Sequence, residues 1–185
     1  MFDFDIAVEN VVMIGSFSEG IDLCVANQKL EGSKRNWKQL SGLSFKLKKP
    51  SATFLLFQNG KFICANIKTE TKGKHALTKL LNLLKTEKLV SDDCVFECGV
   101  KNLVASVNLS SANISPDQFT SEFESIYDPT KCHTPLNKTD QPSAAFLVFL
   151  TGKLICTGAA NKEELKKTLK NFYKQLSDKN TIENL

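Results

Sequence analysis

A near-copy of one segment within the same chain limits the possible folds more than any other feature. Pro50–Cys64 reads PSATFLLFQNGKFIC and Pro142–Cys156 reads PSAAFLVFLTGKLIC, identical at ten of fifteen positions. Chance would match about one. The same offset of 92 residues carries Val8, Asn10 and Val12 onto Val100, Asn102 and Val104. It also carries Leu77 and Leu84 onto Leu169 and Leu176, with no gap anywhere between. The chain reads as a tandem duplication, with one repeat in residues 1–93 and the other in 94–185. Two copies at so long a period do not make a solenoid. Each copy is instead half of a pseudo-twofold object.

At 42% hydrophobic and 24% charged, 185 residues can bury a real core. No apolar run approaches the roughly 20 residues of a membrane-spanning helix, so no membrane partner is expected. Met-Phe-Asp-Phe-Asp places acids where a secretory signal would place Lys or Arg. Six cysteines without such a signal read as free thiols in a reducing compartment. The net charge of +4 is uneven: residues 1–92 hold 14 basic and 9 acidic side chains, residues 93–185 hold 10 and 11. That bias suits a polyanion partner without demanding one.

Both repeats read alike. A β-rich opening strand comes first, Ile6–Ser16 and Val95–Leu109. A short helix follows, Asp22–Leu30 and Pro116–Ser125. Ala52–Phe57 and Lys61–Ala65 then form a hairpin, where Asn59-Gly60 suits a two-residue type I′ turn. Each repeat closes in an amphipathic helix, marked by Leu77, Leu80, Leu81 and Leu84 and by Leu165, Leu169, Phe172 and Leu176. Asn161 with Glu164 is a capping-box-like start. These stripes carry core packing and no chemistry.

The strands hold the informative feature. Side chains alternate between the faces of a sheet. Thr53, Leu55 and Phe57 lie on one face and Ala52, Phe54 and Leu56 on the other, yet both sets are mostly apolar. Ile63 and Ala65 against Phe62 and Cys64 behave alike, as do Ala145, Leu147 and Phe149 against Ala144, Phe146 and Val148. Strands apolar on both faces expect cover on both, but each repeat supplies helices for one side only. Either the repeats bury these faces against each other as a sandwich, or a broad apolar face is left for a partner. Asn10 and Asn102, each inside an apolar stripe, weigh against the sandwich, where an unpaired amide is costly. On a ligand-facing sheet the pair suits a pseudo-symmetric polymer such as the DNA minor groove.

The duplicated pattern V-x-N-x-V, P-x-x-x-x-L-x-F, turn, G-K and C-T-G resembles the TATA-box-binding protein family. It is carried by VENVV (8–12), VKNLV (100–104), LSGLSFKLKKPSATFLLFQNGKFIC (40–64), YDP (127–129) and PSAAFLVFLTGKLICTGA (142–159), and covers residues 6–178. The resemblance implies an α+β saddle: two repeats forming one curved antiparallel sheet, helices on its convex face, A/T-rich promoter DNA on its concave face. The residues it implies for DNA binding are Val8, Asn10, Val12, Leu40, Lys46, Leu55, Phe57, Ile63, Val100, Asn102, Val104, Cys132, Lys138, Leu147, Phe149, Ile155 and Thr157. The function implied is that of a general transcription initiation factor that bends DNA and nucleates the preinitiation complex. The partners implied are double-stranded promoter DNA, a transcription factor B/IIB-type protein reached through Asp128, a transcription factor IIA-type protein and the RNA polymerase initiation machinery. The implied location is the nucleus in a eukaryote, the reading given precedence, and the cytoplasm or nucleoid in an archaeon.

Several positions depart from the family pattern. Of four wedge phenylalanines, Phe57 and Phe149 are kept, while Leu40 and Cys132 replace the other two. Ala65 and Asn66 stand where the second repeat has Thr157 and Gly158. Lys46 and Lys138 keep the charge but not the planar fork of Arg. Lys34, Arg35, Lys38, Lys46, Lys48 and Lys49 gather around the first repeat's loop, where they suit phosphate contact. The alternative is a paralogue of the same fold that acts mainly as a protein-interaction adaptor with altered DNA preference. The sequence lacks paired C-x₂-C ligands for zinc, a phosphate-binding loop and a nucleophile elbow. No metal, cofactor or catalysis is expected.

Overall fold

The computed structural model describes residues 5–35, 41–108, 113–114, 136–138, 145–149, 153–178 and 182–183. The chain divides into two compact units, residues 10–101 and residues 1–9 with 102–185. The two long opening strands, β1 (Asp5–Phe17) and β6 (Phe96–Asn108), each give one end to either unit.

Within residues 10–101, β2 (Lys34–Arg35), β3 (Gly42–Leu47), β4 (Ala52–Phe57) and β5 (Lys61–Ile67) join the opening strands in the order β2-β3-β4-β5-β1-β6. The strand register sorts the side chains by face. Phe45, Phe54, Cys64 and Met13 stand opposite one another across four strands, and all are buried. Helix α1 (Leu23–Lys29) and helix α2 (Glu70–Thr86) add buried Leu23 and Ala26, and Ala76, Leu77, Leu80, Leu81 and Leu84, to the core. Asp22 caps α1 by accepting from the N–H groups of Cys24 and Val25 at 2.8 and 3.1 Å. Gly15 lets β6 approach β1 closely, because a Cβ there would lie 2.0 Å from the Glu97 carbonyl oxygen.

The β4–β5 turn differs from the expected two-residue type I′ form. Gly60 N–H donates to Phe57 O at 3.0 Å, and only Gly60 has positive φ (+80°) in this turn. Type I′ needs positive φ at two central residues; here the loop is three residues, Gln58 to Gly60, with glycine in the left-handed place. The glycine is obligatory, since a Cβ on it would meet the Glu19 carbonyl at 2.3 Å.

Helix α2 ends in a paired closing motif: Leu89 N–H donates to Leu84 O and Lys88 N–H to Lys85 O, both at 2.9 Å. The residue in the left-handed place is Lys88, with φ +53°. An L side chain there costs about 1 kcal/mol. Lys88→Gly is therefore expected to stabilise the protein by roughly 0.5–1 kcal/mol. A urea titration reads this, and a loss of stability would contradict it.

The other unit holds β7 (Asn113–Ile114), β8 (Leu136–Lys138), β9 (Ala145–Val148), β10 (Lys153–Ala159), helix α3 (Lys162–Asp178) and β11 (Ile182–Glu183). Its main strands run β1-β6-β10-β9-β8, and β11 pairs separately with β7. Phe146, Cys156 and Ala105 align and are buried, as are Val148, Leu154 and Val107. Phe146 stacks on Phe172 of α3 at 4.2 Å between ring centroids and 7° between planes. The capping-box-like start is present in a shifted form: Glu164 N–H donates to Asn161 Oδ1, and Ala160 N–H, one residue before the cap, to Glu164 Oε2, both at 2.8 Å. The short helix expected at Pro116–Ser125 lies outside the described residues.

Candidate nucleic-acid interface

Opposed residues on paired strands share a face. In residues 10–101, Ser44, Leu55, Ile63 and Ile14 therefore form one row across β3, β4, β5 and β1, opposite in sense to the buried core row. Lys46, Thr53 and Ala65 form the next row, and Gly42 faces Phe57. Leu55, Phe57, Ile63 and Val12 are half-buried, whereas Leu56, Phe62, Cys64, Val11 and Met13, which alternate with them along the strands, are fully buried. Ile14 is 42% exposed, a large apolar side chain without cover. With Phe57, Lys61 and Ile63 it lines a groove of about 470 Å³.

The other unit repeats the pattern. Leu147, Ile155 and Ser106 form one row, and Ala145, Thr157 and Val104 the next, with the backbone of β8 in register beside β9. Leu147, Phe149, Ile155, Thr157 and Val104 are half-buried. The second face of each unit's strands is thus less covered than the first and apolar over most of its length, as the doubly apolar strands suggested. Val8 and Val100 are half-buried too, but Val8 packs against the core cluster around Leu103 and Ala105. That contact sets Val8 apart from Val12, with which the sequence had grouped it.

Each unit carries a β-bulge next to its asparagine. The β1–β5 register shifts between Val11 and Met13, and the β10–β6 register shifts between Thr157 and Ala159. Asn66 (φ +62°) and Gly158 (φ +107°) take the left-handed places. Such a bulge leaves one backbone N–H without a ladder partner. Asn10 Oδ1 accepts from Asn66 N–H at 2.8 Å, and Asn102 Oδ1 accepts from Gly158 N–H at 2.7 Å. An N–H can bond only the oxygen end of a carboxamide, so both amides must present Nδ2 outward from the bulge. Sequence reasoning missed this supporting role. Its one visible signal was Asn66, a residue type that tolerates the left-handed region better than most. Ile14 was missed as well, although it continues the alternation of Val8, Asn10 and Val12.

Lys34 is exposed on β2, Lys46 on β3, and Lys48 and Lys49 in the turn that follows β3. Leu40, Cys132 and Asp128 lie outside the described residues, as does Lys38; Lys138 is placed on β8 by its backbone. Burial pushes the Cys64 and Cys156 thiols up to about 12, which keeps them protonated and inert. Among the described residues, no three His, Cys, Asp or Glu side chains gather to hold a metal. No described helix is long and apolar enough to cross a membrane.

Residues 5–86 and 97–179 match the family model described as transcription factor TFIID, or TATA-binding protein. The chain is 33% identical to the TATA-box-binding protein of Methanobrevibacter smithii, over 98% of this chain and all of that one. It is 32% identical to that of Methanothermobacter thermautotrophicus, over 90% and 91% of the two chains. The structure of Methanococcus jannaschii TBP superposes with a TM-score of 0.84 at 26% identity, covering 94% of this chain and 98% of that one.

Proposed function

The chain belongs to the TATA-binding protein family, and from that premise we propose that it reads A·T-rich promoter DNA through the minor groove with the half-exposed faces of its two repeats, 1–93 and 94–185. It is a non-enzymatic general transcription initiation factor that binds promoter DNA. The observation carrying the minor-groove reading is the outward amide of Asn10 and Asn102, each held by a bulge N–H within an apolar face. The minor groove at A·T pairs shows only acceptors, so an outward N–H donor is the matching group. The apolar rows supply contact with sugars and base edges, and Phe57 and Phe149 are the wedges, a mode of which this family is itself an example. Lys46 and the lysines around it add phosphate contacts on one side.

Bending of the duplex and recruitment of B/IIB-type and IIA-type factors and the polymerase machinery complete the proposed role. The relatives named above are archaeal, which supports an intracellular place of action at the nucleoid and moves the precedence away from the nucleus.

A salt titration of binding to A·T-rich and G·C-rich duplexes tests the reading. A preference for A·T that persists as salt rises is expected from groove reading; equal affinities falling together would leave only charge. Phe57→Ala is expected to weaken A·T-duplex binding about 10- to 100-fold, the worth of one buried Phe. Phe149→Ala should cost less, because Cys132 already makes the second repeat's wedge pair small. Equal losses of affinity and bend, measured by end-to-end energy transfer, would refute that asymmetry.

A further inference from the structure

The two asparagines differ in what stands beside them. Asn102 Nδ2 donates to Thr157 Oγ1 at 3.0 Å, and the Thr157 hydroxyl lies 3.2 Å from Asn102 Oδ1 as a donor. The offset-matched residue in the first repeat is Ala65, which has no hydroxyl. Asn10 Oδ1 is likewise bonded to its bulge, but Asn10 Nδ2 donates to no described residue. At this place the first repeat therefore offers a donor-only group, two amide hydrogens with the oxygen already occupied; the Thr53 hydroxyl of the same row lies one strand further out, opposite Ala65. The second offers an amide hydrogen plus a hydroxyl, one lone pair of which takes the Asn102 Nδ2 bond while the other is left to accept.

That difference has a direct meaning against base edges. A·T and T·A pairs show only acceptors in the minor groove, whereas a G·C pair adds the guanine N2 amino donor. A donor-only group meeting that amino group leaves two donors facing each other, both removed from water. A hydroxyl with a spare lone pair can accept from it.

We propose that Thr157 makes the second repeat tolerant of a G·C pair at the step it faces, while Asn10 beside Ala65 makes the first repeat intolerant, so that the pair of residues 65 and 157 sets the orientation of the protein on asymmetric sites. This inference rests on the minor-groove reading above. It assigns to Thr157 a specificity that the Asn pair by itself, being matched in both repeats, does not supply.

The test uses an otherwise palindromic A·T duplex with a single G·C pair, placed in turn at each position between the centre and one end. Orientation is read by energy transfer from Trp37, the sole tryptophan and a first-repeat residue, to a dye on either end of the duplex. At one position or more the full-length protein is expected to seat its second repeat over the G·C half with about tenfold preference, within the range of one mismatched pair. Replacing guanine by inosine, which lacks the N2 amino group, should abolish the preference. Thr157→Ala and Ala65→Thr should each abolish it too, the first by leaving both asparagines without a hydroxyl on the neighbouring strand position and the second by giving one to both. Ala65→Thr deletes no contact, so it decides the matter should Thr157→Ala fail to fold. Tight binding with no preference at any position, a reversed preference, or one that inosine leaves intact would overturn the inference alone. Failure to bind any A·T-rich duplex would overturn the minor-groove reading itself.

Discussion

The double variant N10D/N102D is expected to lose affinity for an A·T-rich duplex by about 10³-fold or more while its melting temperature stays nearly unchanged. The separation follows from the two ends of one carboxamide. The oxygen end accepts the bulge N–H of Asn66 or Gly158 at 2.8 and 2.7 Å. An Asp carboxylate can accept the same bond, now charge-assisted, so the bulge stays satisfied. The nitrogen end is the only part lost, and with it the donor aimed away from the bulge. In its place stands a negative charge facing groove acceptors and phosphates. A loss of about 2 kcal/mol at each site, in the range for one base-edge contact, compounds to roughly 10³-fold. Fluorescence anisotropy and thermal melting read the two quantities. Affinity within tenfold of the parent would mean that the asparagines serve the bulges alone. The Ala variants would not separate the effects, since each would also leave a backbone N–H without its acceptor, at about 1–3 kcal/mol.

Phe146→Ala is expected to have the opposite profile, a loss of about 3–5 kcal/mol of folding stability. Phe146 is fully buried and stacked on Phe172 of α3. Cys156 is its β10 neighbour in register, so truncation opens a cavity bounded by sheet and helix that neither can easily close. Against a total of roughly 5–15 kcal/mol this is a large fraction. Phe149 is three residues along the same segment but on the other face, and half-buried. Phe149→Ala should cost less than about 1 kcal/mol, so urea unfolding of the two variants separates core from contact surface. Equal losses would mean that the second face is packed as tightly as the first.

Much of this was legible from residue order. The gapless offset that pairs Pro50–Cys64 with Pro142–Cys156 determined that there are two repeats and that their strands correspond. Period-2 alternation separated Phe54 from Phe57 and Phe146 from Phe149, because a strand turns successive side chains to opposite faces whatever lies beyond it. Helical spacing determined the buried stripes of α2 and α3, and Asn161 with Glu164 marked where α3 begins.

The tertiary structure decided what local pattern cannot encode. Asn59-Gly60 looked like a two-residue turn, but the ladder placed the turn one residue earlier, since strand pairing rather than dipeptide preference sets where the loop begins. Val8 matched Val12 in alternation, yet its contact with the Leu103 cluster depends on which strand lies next to it. The asparagines were singled out for a ligand, and their tie to the bulges went unseen. Asn10 and Asn66 are 56 residues apart, and only pairing of β1 with β5 brings the amide to the orphaned N–H. Residue order determined which side chains share a face. The register of distant strands determined which end of each amide is already bonded, because a hydrogen bond needs both partners in place and the sequence names only one at a time.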